Sequence, residues 1–95
     1  MQTERECYFC GGVIGLERHH VLGGFSSKNR TFCETYGLWV WVCHEDHTGR
    51  DGVQYNAEKN LQLKREAQLA FQKYYGRALW MKLFRKNYLD DWRAE

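Results

Sequence analysis

The hydrophobic positions of this chain change their period near residue 57. Before that point the apolar residues come in short runs. Leu38-Trp39-Val40-Trp41-Val42-Cys43 is β-branched and aromatic, and is the clearest strand. Leu16-Glu17-Arg18-His19-His20-Val21-Leu22 is a second short strand, and Gly23-Gly24 ends it. Residues 25–36, with Ser, Lys, Asn, Arg and Thr, read as a loop. Cys7-Tyr8-Phe9-Cys10-Gly11-Gly12 reads as a tight turn between short strands, its glycines supplying the positive φ angles such a turn needs. The stretch from His44 to Gly52 has room for one or two helical turns. After residue 57 the period is helical. Asn56 is the expected N-cap, with Glu58 near the positive end of the helix dipole. Leu63, Ala67, Ala70, Phe71, Tyr74 and Ala78 then share one face. Gly76 suits a C-terminal cap. Leu79, Trp80, Met81, Leu83 and Phe84 make a second, shorter helix with more apolar surface than one stripe needs. That surplus is expected to clamp onto the β portion or onto a second chain.

The expected architecture is therefore α+β, in a single domain over residues 1–95. Residues 1–56 would carry the site and residues 57–95 the helices. No repeat or linker interrupts the chain. At 95 residues the core is modest, so a bound metal or a partner chain is a natural source of further stability. Hydrophobic residues at 43% and charged residues at 27% fit a folded domain rather than a disordered one. The net charge of +2 conceals an uneven distribution. Residues 59–86 hold eight Lys/Arg against the single acid Glu66, whereas residues 1–56 hold five against seven. Such a bias fits a basic surface for phosphates, or simply a solvated helix face. There is neither a signal peptide nor an apolar run near membrane-spanning length, so a cytoplasmic location without membrane association is expected.

Four cysteines in such a compartment read better as metal ligands than as disulfides. Cys7 and Cys10 have the C-x2-C spacing that brings two thiolates onto one ion from a single turn. Cys43 ends the strongest strand, and His44, Asp46 and His47 follow it. This is a zinc pattern whose fourth ligand is open. Asp46 has the matching x2 spacing, while His44 or His47 would serve chemically. The bland alternative is a set of buried, unligated thiols. Cys33 lies in the loop without an evident partner and reads as a free thiol. The adjacent pair His19-His20 is a second candidate, because core packing rarely calls for two neighbouring imidazoles. One could hold a metal while the other reaches a second point of the same site. A surface His pair is the alternative. The Gly-Gly that follows would let a substrate backbone come close.

The order of these parts is specific: CYFCGG, ERHHVLGG, a loop, YGLWVWVC, then HEDHTGRDGVQYN opening a long helix. It resembles the HNH (His-Me finger, ββα-metal) endonucleases, in the zinc-knuckle variety common among bacteriophage proteins. The likeness spans nearly the whole chain, down to the ending FRKNYL. It implies two strands and a helix around one divalent ion such as Mg²⁺, Mn²⁺ or Ni²⁺. It assigns His19 and His47 as metal ligands and His20 as the general base, with a structural Zn²⁺ on Cys7, Cys10, Cys43 and position 46. Three departures stand out. Position 46 is Asp where Cys or His is usual. Gln54 occupies the place of a further histidine ligand. The asparagine that orients the base is matched only by Asn29.

The implied chemistry is metal-assisted hydrolysis of DNA phosphodiesters with low sequence specificity. The bound ion would stabilise charge on the phosphate, and His20 would take a proton from water. Lys59, Lys64, Arg65 and Lys73 on the long helix would hold the DNA backbone, with Lys28, Arg30 and Arg50 reaching the scissile region from loops. The phage likeness would place the protein in a bacterial host cell. Two rival readings are a non-catalytic zinc module that binds DNA or protein, and an interaction domain that dimerises through Trp80, Met81, Phe84 and Trp92.

Overall fold

A computed structural model describes residues 1–23, 26–50 and 52–89. The elements run β1 (Leu16–His20), α1 (Ser27–Tyr36), β2 (Trp39–Cys43), α2 (His44–Thr48), α3 (Ala57–Tyr75) and α4 (Arg77–Phe84), a small α+β arrangement. β1 and β2 pair antiparallel, with His19 opposite Val40, His20 opposite Trp39 and Glu17 opposite Val42.

Opposed residues in such a ladder share a face. Val40 and Val42 are fully buried beneath the helices, so Glu17 and His19 are carried to the same inner side. Arg18 and His20 go to the other side with Trp41 and Trp39. Leu38, Val40 and Val42 meet Leu63, Ala67 and Phe71, the inner stripe of α3. Trp80 on α4 closes the core, 5.5 Å from Phe71 and 4.5 Å from Phe84 between ring centroids. Its indole N–H donates to the Lys86 carbonyl at 2.8 Å. Leu79, Met81, Leu83 and Phe84 of the same helix pack against this core and stay partly exposed. Trp80 is fully buried and unavailable to a partner, and Trp92 lies outside the described residues.

Asn56 caps α3, its side chain accepting from the Lys59 amide at 3.1 Å, and Gly76 separates α3 from α4. Buried Gln68 ties down the tail. Its amide donates to Asn87 Oδ1 at 2.9 Å, and its oxygen accepts from the Tyr88 amide at 2.8 Å. The cysteine turn is present, but no strand flanks it among the described residues.

The segment expected to be a loop is largely helix. Ser26 caps α1 by accepting from the Asn29 amide at 3.1 Å, and Gly37 ends it at φ 70°. The polar outer positions hide the pattern. Phe32, Cys33 and Tyr36 supply an inner edge, and Tyr36 packs 5.3 Å from Phe71. Tertiary packing, more than local propensity, stabilises a helix this short. Cys33 is accordingly a core side chain, fully buried, and not a loop thiol. Among the described residues, no helix is long and apolar enough to cross a membrane.

Candidate metal centre and histidine cleft

Two constellations flank the start of α2. The first is built by the cysteine turn. Cys7 donates its amide to the Gly12 carbonyl at 2.7 Å, and Gly11 donates to Cys7 at 2.8 Å with φ 77°. Tyr8 donates to the Trp41 carbonyl at 2.8 Å, which fastens the turn to β2. Cys43 ends β2, and Asp46 follows three residues later on α2. One ligand atom each from Cys7, Cys10, Cys43 and Asp46 lies within 4.8 Å of every other, and the group could hold a metal ion.

The spacings suit one tetrahedral centre. Zinc–sulfur bonds of about 2.3 Å imply a sulfur–sulfur edge of about 3.8 Å. Cys10 Sγ and Cys43 Sγ are 3.8 Å apart, and Asp46 Oδ2 lies 3.1 Å from Cys7 Sγ and 3.3 Å from Cys43 Sγ. The Cys7 thiol beside it, then those of Cys10 and Cys43, hold the Asp46 carboxyl below its ordinary value against the opposing effect of burial. Of the candidates for a fourth ligand, Asp46 is the one the fold brings to the three thiols. The alternatives turn elsewhere, with His44 Nδ1 at 3.3 Å and His47 Nδ1 at 2.9 Å from the Glu17 carboxylate.

The second constellation is a cleft of about 420 Å³ lined by His19, His20, His47, Gln54, Arg30 and Lys64 among others. His19 enters from the inner face of β1 and His47 from α2, their ring centroids 5.1 Å apart. His20, though on the opposite side of the strand, reaches the same cleft because β1 ends there. His19 is only 7% exposed, and its Nε2 is buried without a hydrogen-bond partner. Burial first, then the neighbouring charges of His47, His20 and Lys64, pushes its imidazole down to about 4, so it is uncharged at neutral pH.

His47 is held at both nitrogens. An ionised Glu17 can only accept, so Nδ1 carries a proton, and in the neutral imidazole the lone pair is then on Nε2. The hydrogen bonds from His47 and then His44 hold the Glu17 carboxyl below its usual range. Gln54 Nε2 lies 2.9 Å from His47 Nε2. The chain doubles back through Gly52 to bring it there, with Val53 donating to the Asp46 carbonyl at 2.7 Å and Gln54 to that of His47 at 3.2 Å. A side chain at Gly52 would begin 2.7 Å from the His47 carbonyl oxygen, closer than packing allows.

Several expectations fail at this level. Asn29 sits in the first turn of α1 and does not line the cleft. Gly23 lines the cleft, packed against Arg30 and His20. Arg30 Cγ and His20 Cβ would lie 2.9 and 3.1 Å from a Cβ there, and Gly24 is outside the described residues. The four basic residues of α3 do not form one face, because at about 100° per residue they spread around the helix. Lys64 is half-buried in the cleft, where burial and then Lys86 lower it from its ordinary value. Lys59 instead approaches the Phe9 ring, Arg65 donates to the Tyr88 carbonyl at 3.0 Å, and Lys73 lies near Tyr74. Of the three expected from loops, Arg30 lines the cleft from α1, while Lys28 and Arg50 do not line it. Two carboxylates were missed. Glu17 was legible, since a strand places it on the face of His19 two residues on. Glu34, 2.6 Å from His20 Nε2, was hidden by the loop reading of its helix.

No family model matches the chain, and neither a curated protein nor a solved structure matches it. What the fold and site define is a small α+β protein with a Cys3Asp cluster able to hold a metal ion.

Proposed function

We propose that this chain is a metal-dependent DNA endonuclease or nickase of the HNH-like ββα-metal kind. One observation carries the reading: the uncharged, buried His19, whose Nε2 has no partner, faces His47 in a cleft that His20 also enters. An orphaned buried nitrogen is uncommon and asks for a ligand. A neutral imidazole is the form that binds metal. Glu17 behind His47 is the kind of outer carboxylate that orients a ligating histidine.

On this reading His19, His47 and the amide oxygen of Gln54 hold a divalent ion such as Mg²⁺, Mn²⁺ or Ni²⁺. When bound, the ion supplies Lewis-acid stabilisation of charge on the phosphate. His20 takes the proton of the attacking water. Lys64 and Arg30 neutralise phosphate oxygens at the cleft and read no sequence. The soft Cys7, Cys10 and Cys43 thiolates favour Zn²⁺ in the cluster, with Asp46 as the fourth ligand and a structural role.

Plasmid nicking with each of the three ions tests the activity, comparing wild type with His20→Ala. Loss of nicking in the variant is expected, and equal nicking by both removes His20 from the chemistry. A second reading, a zinc-containing DNA-binding or protein-interaction module without activity, draws on Gln54. Its amide nitrogen faces His47 Nε2, and the amide must turn over to offer its oxygen. That reading predicts salt-dependent DNA binding and no cleavage in any ion.

A further inference from the structure

We infer that Glu34, clamped by Arg18, is the positioning residue that holds His20 in the tautomer a general base requires. The inference rests on the nuclease reading for its catalytic consequence. It replaces Asn29, which sits at the opposite end of α1 from Glu34, with its backbone amide engaged by Ser26.

The contacts form a chain with a fixed beginning. The Arg18 guanidinium stacks 3.9 Å from the centre of the Trp39 ring and lies 5.4 Å from that of Trp41. Trp39 is the register partner of His20, and Trp41 that of Arg18, so the sheet itself aligns these groups. Arg18 Nη1 donates to both Glu34 oxygens, at 3.0 and 3.1 Å. Glu34 Oε1 lies 2.6 Å from His20 Nε2. The hydrogen bonds of His20 first, and of Arg18 second, hold the Glu34 carboxyl below its ordinary value.

An ionised carboxylate has no proton to give, so the imidazole must donate from Nε2. A neutral imidazole has a single N–H, so the lone pair then sits on Nδ1. Among the described residues nothing hydrogen-bonds to Nδ1, which is left to accept a proton from water. Without Glu34 the two tautomers would compete, and the ring would lose the contact that fixes its rotation.

The decisive measurement is the ¹⁵N NMR tautomer pattern of His20 in the full-length, metal-loaded protein, at a pH where the imidazole is neutral, alongside plasmid nicking. Wild type is expected in the Nε2–H form. Glu34→Gln is expected to keep both that form and most of the rate, because Arg18 and His20 call on the same acceptor oxygen, which an amide retains. Glu34→Ala is expected to show mixed tautomers and a kcat about 10- to 100-fold lower, with DNA half-saturation unchanged. A wild-type His20 outside the Nε2–H form overturns the inference, as does a Glu34→Ala protein matching wild type in tautomer and rate. If wild type nicks nothing, the nuclease reading falls separately. The tautomer then decides alone: an unchanged pattern in Glu34→Ala overturns the positioning role, and a mixed pattern upholds it.

Discussion

Acid should destabilise this protein in part through one buried imidazole. His19 is uncharged in the folded chain, pushed from 6.5 down to about 4, chiefly by burial. In the unfolded chain it protonates near its ordinary value. A group depressed in this way binds protons more readily when unfolded, so acid favours the unfolded state. Its penalty is absent above about pH 7, grows below 6.5 and is complete below about 4. At pH 5 the loss is about 2 kcal/mol, and the span from 6.5 to 4 caps it at about 3 kcal/mol. Against a total of roughly 5–14 kcal/mol for a domain of this length, that is a large share. Replacing His19 with Leu keeps an apolar body of similar size and removes the titration. Urea denaturation of both proteins at neutral pH and at pH 5, without added divalent ion, isolates the effect. The carboxylates that also respond to acid are common to both. Wild type should lose about 2 kcal/mol more than His19→Leu over that range. Parallel losses would show that His19 is not held neutral. They would also remove the physical basis for its lone pair being ready for a cation.

On the zinc reading of the cluster, chelation or a change of Cys43 to Ser should release about one equivalent of metal and lower the melting temperature, read by elemental analysis and thermal denaturation. Glu17→Ala should weaken Mn²⁺ binding at the histidine cleft about 10- to 100-fold by calorimetry, because His47 loses the acceptor that sets its tautomer. Trp80→Ala should cost about 3–5 kcal/mol in urea denaturation, since it empties the centre of the aromatic core. Trp80→Phe should cost less and strand only the Lys86 carbonyl. On the proposed nuclease reading, Lys64→Gln should reduce the salt dependence of DNA binding by about one phosphate contact, while Lys73→Gln should leave it nearly unchanged.

Much of the candidate site could be read along the chain because the signals are local. Cys7 and Cys10 share one turn, and Cys43 and Asp46 lie one helical turn apart. Their convergence then needs only the short strand pairing that carries the turn to β2. The alternation of Leu38 to Cys43, the Asn56 cap and the Gly76 break are likewise written in neighbouring residues. Other features carry no local signature. α1 is nearly all polar, and its few apolar positions gain meaning only against Phe71 and Phe84. Without that helix Glu34 has no visible link to His20, and the resemblance offers only Asn29 for the base-orienting role.

By itself, the order of residues determined which side chains could bind metal and which short elements would present them. Dihedral preference and hydrophobic period act over a few residues, and those spacings are visible in one dimension. Only the folded chain decided which groups meet: Asp46 with the thiols, Glu17 behind His47, Glu34 behind His20, and Lys64 alone of its helix's four candidates in the cleft. Those pairings depend on strand register and on the packing of helices onto the sheet. Both are set by burial across distant parts of the chain.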